Sequence, residues 1–144
     1  MNDMNLTARR GLVIGADVEA GRTAALALAG TGMKLALAGV DAAELMRTAA
    51  LTGRPLDMLV LPADLNKARD ADSILHILEG HFKGLDVLAS ASDDPAALAL
   101  CRRALALMHA SDDPVVYATD AIKKALAQDV EGVRFEDLDG VAGR

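Results

Sequence analysis

Apolar residues fall along this chain in two alternating kinds of run. Short blocks bounded by glycine, proline or aspartate alternate with longer stretches in which Ala, Leu, Ile and Met recur at helical spacing. The short blocks are Leu12-Val13-Ile14, Lys34 to Ala38, Asp57 to Leu61, Asp86 to Ser90, Val115 to Ala118 and Gly132 to Phe135. Each reads as a strand buried on both faces. Between them the pattern predicts helices over Arg22 to Thr31, Asp41 to Leu51, Asn66 or Asp70 to about Gly80, Ala96 to Ala110, and Asp120 to about Val130. Asp41 with Glu44 makes a box-like helix start, and Asp94-Pro95 a cap followed by a first helical residue. Such alternation means an α/β protein, a doubly wound parallel sheet of about six strands with helices on both faces. Residues 1–144 form a single domain on this reading, with 1–10 and 141–144 irregular.

The first strand ends in Ile14-Gly15-Ala16-Asp17-Val18-Glu19-Ala20-Gly21-Arg22, and an apolar helix follows. A strand, two glycines six residues apart and a helix open a Rossmann-type dinucleotide-binding unit, whose ligand lies at the carboxyl ends of the strands. The glycines fit that opening and the residues between them do not. Asp17 and Glu19 put two carboxylates where a diphosphate would approach the backbone.

Composition narrows the function. Apolar residues make up 52% of the chain but aromatics only 2%, so stacking platforms for single-stranded nucleic acid are missing. A formal charge of −6 repels phosphate backbones and anionic membranes. Neither a nucleic-acid nor a membrane partner is expected. Cys101 is the single cysteine, which excludes an internal disulfide and a cysteine-based zinc site. Residues Met1 to Asn5 lack the pattern of a signal peptide, and no apolar run reaches the roughly 20 residues of a membrane span, so a cytoplasmic protein is expected.

On a wheel of about 100° per residue, Leu98 and Leu105 lie together while Leu100 and Leu107 fall roughly 160° away. Cys101, Ala104 and Met108 fill the arc between, leaving Arg102, Arg103 and His109 as the polar sector. An apolar arc this broad exceeds what one sheet face needs. Two readings stand: a tightly covered core helix, or a helix that also meets a second subunit.

In this order the segments resemble a short-chain dehydrogenase/reductase over almost the whole length. Gly15 and Gly21 match the first and last glycines of that family's TGxxxGxG turn, and 25–32 resemble the helix and turn that follow. Residues 37–45 are similar to the second strand and its exit, and Leu61-Pro62-Ala63-Asp64-Leu65 to the acidic turn after strand three. Gly84 to Leu88 resemble the approach to the NNAG motif, 100–108 the central helix, and Val115 to Ala118 strand five. The resemblance ends with 124–130 and Gly132-Val133-Arg134, similar to the next helix and strand six.

The resemblance implies the family's chemistry only in part. Its middle turn glycine falls on Glu19 and its threonine on Ile14. Beyond strand two, the NADP-binding arginine falls on Val40 and the NAD-binding aspartate on Gly39, so neither ribose preference is implied. The NNAG motif falls on Ser90-Ala91-Ser92-Asp93, while Asp64 and Leu65, beside the adenine in the family, are kept. Gly15, Gly21, Asp64, Leu65 and Ser90 are therefore the residual cofactor-binding residues. Each tenfold in affinity is about 1.4 kcal/mol, so losing several contacts takes a micromolar binder to negligible binding. No cofactor is expected on this count, with NAD or NADP as weak alternatives.

The family's Tyr-x-x-x-Lys, a proton donor and the lysine that lowers its pKa, is missing. Tyr117 is the only tyrosine and Ala121 stands four residues on, with Lys123 and Lys124 beyond. No catalytic residue is assigned. In related enzymes the helices matching 96–110 and 120–130 form the dimer face, which implies an interface at Leu98, Leu100, Arg102, Leu105, Leu107 and Met108.

Other constellations read as structural. His76 and His81, five apart on a helix, point about 140° away from each other and cannot chelate together. His109 stands alone, and Cys101 on an apolar face reads as buried and inert. Asp93-Asp94 and Asp112-Asp113 each precede a proline and suit capping and turns better than magnesium. A receiver domain is a further alternative, but Gly15-Ala16 and Pro62 replace its acids. The sequence thus points to a catalytically inactive dehydrogenase-like domain acting through protein contacts, as a homodimer or with another protein partner. A residual nucleotide binder or atypical oxidoreductase is the alternative.

Overall fold

The computed structural model describes residues 9–128 and 130–142. Residues 1–8, 129, 143 and 144 lie outside these, and with them most of the expected irregular start, Asp129 of the expected fifth helix and the last two residues of the expected tail. Among the described residues the apolar blocks form six strands: β1 (Arg10–Ile14), β2 (Lys34–Gly39), β3 (Met58–Pro62), β4 (Val87–Ser90), β5 (Val115–Ala118) and β6 (Arg134–Asp137). Six helices alternate with them: α1 (Glu19–Ala29), α2 (Ala42–Leu51), α3 (Ala68–Phe82), α4 (Pro95–Leu105), α5 (Asp120–Ala127) and α6 (Leu138–Ala142). All five strand pairings are parallel, in the order β3-β2-β1-β4-β5-β6. The chain winds outward in one direction through β3 and in the other through β6, so the reversal lies between β1 and β4. A receiver would place strand one between strands two and three. Here β1 sits between β2 and β4, which removes that alternative.

Successive strand residues point to opposite faces, and the two cores divide accordingly. Leu12, Ile14, Leu88 and Val116 pack with α3, α4 and α5, whereas Val13, Leu35, Leu37, Ala89 and Tyr117 pack with α1, α2 and α6. Arg10 begins the first strand rather than preceding it. Its backbone N–H and its Nε both donate to Asp86 Oδ2, at 2.9 and 3.2 Å. Burial alone would raise the Asp86 pKa, but hydrogen bonds from Ser111 and Arg10 outweigh it and hold the carboxyl below its usual range.

Several boundaries differ from the sequence reading for local reasons. Helix α1 starts at Glu19, which places Gly21 inside its first turn. Asp41 Oδ1 accepts from the Glu44 N–H at 3.1 Å, the expected cap, while the Glu44 carboxylate pairs with Arg22 at 2.7 Å. Arg22 also donates to Thr48, and Thr48 to the Ala16 carbonyl, so one polar network ties the first turn to α1 and α2. Helix α4 ends at Leu105 and tightens into a 3-10 turn over Ala106–Met108. Gly132 has φ of +83°, which makes it a turn residue and delays β6 to Arg134. The expected irregular tail is corrected as well. Val141, 3% exposed, lies in α6 and packs in the core with α1.

Candidate functional site

The carboxyl ends of β1, β2 and β4 meet where Ile14 pairs with Ala38 on one side and Ser90 on the other. Gly15 turns the chain there with φ of +84°, and its N–H donates to the Ala38 carbonyl at 2.8 Å. That backbone conformation is one that side-chain-bearing residues rarely adopt. Gly21 is fixed by closeness instead: a Cβ on it would lie 1.9 Å from the Gly15 carbonyl oxygen. The helix backbone therefore rests directly on the turn. In dinucleotide-binding units a glycine pair in these places lets a diphosphate reach backbone N–H groups.

The acids in the turn behave differently from each other. Glu19 is the first residue of α1 and exposed, and Val18 supplies no side-chain cap. Its carboxylate supplies at the positive end of the helix the negative charge a phosphate would otherwise bring. Asp17 does not guard that spot. Its Oδ2 crosses to the exit of β2 and accepts from the N–H groups of Val40 at 2.9 Å and Asp41 at 3.0 Å. The expectation that Asp17 adds a second charge against the diphosphate is corrected on that geometry. A Cβ on Gly39 would lie 2.4 Å from Asp17 Oδ1, so the glycine at the end of β2 makes room for this carboxylate.

The remaining sequence-derived residues are held in their own loops. Asp64 Oδ1 accepts from the Asn66 N–H at 3.0 Å, and its backbone N–H donates to Asp70 at 2.9 Å. Leu65 is half-buried against the core under α3 and α4. Ser90 is fully buried, and its Oγ donates to the Ser92 carbonyl at 2.7 Å. The structure thus brings Gly15, Gly21 and Ser90 together at the carboxyl ends of β1 and β4, with Asp64 and Leu65 at the exit of the edge strand β3. Two residues there were not found from sequence: Asp17 in this role, and Thr119. Thr119 stands at the N-cap position of α5 at the end of β5 without a side-chain cap bond, and its Oγ1 is buried with no hydrogen-bond partner among the described residues. A threonine before Asp120 was the available signal.

At the exits of β5 and β6 the ionisable groups neutralise one another. Lys123 donates to Asp137 and, at 3.3 Å, to Asp120. The Asp137 bond, helped by Asp120 and opposed by desolvation, holds the ammonium above its usual range. Tyr117 is 5% exposed on the face covered by α1 and α6. Cys101 is fully buried, and burial pushes its thiol up to about 12 against a hydrogen bond to Ser90, so it is inert at neutral pH. Among the described residues no group of three or more His, Cys, Asp or Glu is placed to hold a metal. No described helix is long and apolar enough to cross a membrane.

The expected interface is corrected in half of its residues. Leu100, Leu105 and Met108 are 1%, 7% and 2% exposed, inside the monomer core. They are buried because α4 runs between α3 and α5 and is covered from three sides. Leu98 and Leu107 are half-buried at the edge of that core, and Arg102 is exposed.

Solved structures share this fold. A putative short chain dehydrogenase from Pseudomonas syringae matches with a TM-score of 0.76 and 22% identity, over 88% of this chain and 74% of that one. Glucose dehydrogenase of Caenorhabditis elegans, in the apo form, matches at 0.68 and 20% identity, over 76% and 53%. A short-chain dehydrogenase/reductase of unknown function from the same worm, solved with cofactor, matches at 0.66 and 16%, over 76% and 51%. No family model and no curated protein sequence matches. The chain has a short-chain dehydrogenase/reductase-like fold and spans about half to three quarters of the length of these structures. The expectation of no cofactor is corrected here. The fold is that of dehydrogenases and reductases, one of them solved with its cofactor.

Proposed function

We propose that this chain is a dehydrogenase-like nucleotide-binding domain that does not run the family's hydride transfer and acts through contacts with another protein. The observation that carries the reading is the join between β5 and α5. Strand five ends at Ala118, Thr119 stands at the N-cap position of α5, and β6 begins at Arg134. The whole stretch between the two strands lies within the chain and contains no tyrosine. No phenol stands beside Lys123 among the described residues, and that lysine is bound by Asp120 and Asp137, which argues against the family's proton exchange with a carbonyl oxygen.

Nucleotide binding is supported by the Gly15–Gly21 backbone and opposed at one point by Glu19. A bound dinucleotide would supply hydride chemistry; this chain's own residues would orient its adenosine half. For contacts, the outward side of α4 offers Leu98 and Arg102 to a second copy or a regulatory partner. The test is sedimentation of the purified chain at micromolar concentration together with calorimetry against NAD(H) and NADP(H). Association that weakens in Leu98→Asp supports the contact reading, and a monomer at all concentrations counts against self-association. No heat at millimolar nucleotide ends the nucleotide part.

A further inference from the structure

We infer that Asp17 is the ribose-hydroxyl acceptor of the crevice and makes it select adenine nucleotides with a free 2′-hydroxyl over those with a 2′-phosphate. The inference rests on the nucleotide reading above. In dinucleotide-binding units a carboxylate about 20 residues beyond the glycine turn, at the second strand's exit, takes the ribose hydroxyl. In this chain the strand leaves through Gly39-Val40, which carry no such side chain, and the carboxylate that follows, Asp41, is engaged as the cap of α2 through the Glu44 N–H.

The structure supplies the carboxylate from a different part of the chain. Asp17 Oδ1 and Cγ lie 2.4 and 2.5 Å from where a Cβ on Gly39 would stand, so the carboxyl group fills the space in which a side chain at 39 would begin. Oδ2 is fixed by the Val40 and Asp41 N–H groups, at 2.9 and 3.0 Å. Two amide donors on one oxygen hold the group oriented, and Oδ1 keeps acceptor capacity for a further donor. A ribose hydroxyl is a donor of that kind. A 2′-phosphate brings only negative charge to the same place and meets a carboxylate it cannot displace without stripping two amide bonds.

The glycine and the aspartate are thus one device, and the pair makes a prediction that neither makes alone. Gly39→Asp in the wild-type background crowds Asp17 and adds a like charge, whereas Asp17→Ser with Gly39→Asp returns one carboxylate to the same space from the other side. The test is calorimetry of AMP against 2′-AMP and of NAD against NADP, on the wild type, Asp17→Asn and the double variant. Wild type is expected to prefer the free 2′-hydroxyl by about tenfold or more, a charged hydrogen bond being worth that much. Asp17→Asn is expected to lose most of that ratio, and the double variant to regain it. Nucleotide binding with a ratio unchanged in Asp17→Asn overturns this inference and leaves the nucleotide reading standing. Binding of no nucleotide by any of the three proteins overturns both.

Discussion

At the scale of single residues, the turn keeps what backbone geometry demands and replaces what ligand chemistry demands. Gly21 is the clearest case. Substituting alanine forces a Cβ to within 1.9 Å of a carbonyl oxygen in the rigid backbone of the turn. Gly21→Ala is expected to cost about 3 kcal/mol or more, read as a fall in the urea midpoint, because neither backbone can move without breaking the join between β1 and α1. Glu19 is the opposite case, exposed and free of steric duty. Glu19→Gly is expected to strengthen NAD binding by removing a charge from the helix N-terminus, at a stability cost of about 1 kcal/mol from propensity and dipole loss. Weaker binding in that variant, measured by calorimetry, contradicts the electrostatic argument. Asp17 shows what a sequence withholds. Its charge was legible, but the amides it binds lie more than twenty residues on, and no local rule links a turn residue to the exit of another strand.

Elements carry the next set of consequences. Strand and helix order was legible throughout, because parallel strands buried on both faces leave unbroken apolar runs between turn residues. The far end was not. Leu138 to Ala142 is short and contains Gly140, so no periodicity announces a helix; tertiary burial of Leu138 and Val141 against α1 makes it one. Helix α4 shows the same limit from the other side. A wheel counts apolar positions but not how many neighbours cover them, and an arc wide enough for an interface is used up by α3, the sheet and α5. Leu100→Asp is therefore expected to unfold the monomer, seen as lost helical circular dichroism, whereas Leu98→Asp leaves the fold intact and reports on assembly alone.

The Arg10–Asp86 pair anchors the first strand to the start of the fourth, and its pH dependence has a definite sign. The folded-state pKa of Asp86 lies below its ordinary value, so its stabilisation is complete above the unfolded pKa of about 3.9 and fades as pH falls through the lower folded value. Asp86→Asn is expected to lower stability at neutral pH by about 2 kcal/mol. It is also expected to flatten the loss of stability on acidification. Urea melts at neutral and acidic pH check both; a wild-type slope retained in the variant would assign the acid sensitivity elsewhere.

On the scale of the whole molecule, the six described strands form a doubly wound parallel sheet, and the sequence-derived site residues lie at its strand exits. In the proposed reading the turn at Gly15 and Gly21 receives a nucleotide and Asp17 takes its ribose hydroxyl, while the sequence between β5 and β6 holds no tyrosine. Fold and chemistry are separable because the sheet is held by two cores on either face, whereas the chemistry hangs on a few residues at the strand exits. The most direct measurement of this account follows NADH and NADPH in the presence of the purified chain and a panel of aldehydes and ketones, with calorimetry on the same sample. The account predicts nucleotide binding without carbonyl-dependent oxidation above the uncatalysed rate. Sustained turnover by the chain alone would contradict it.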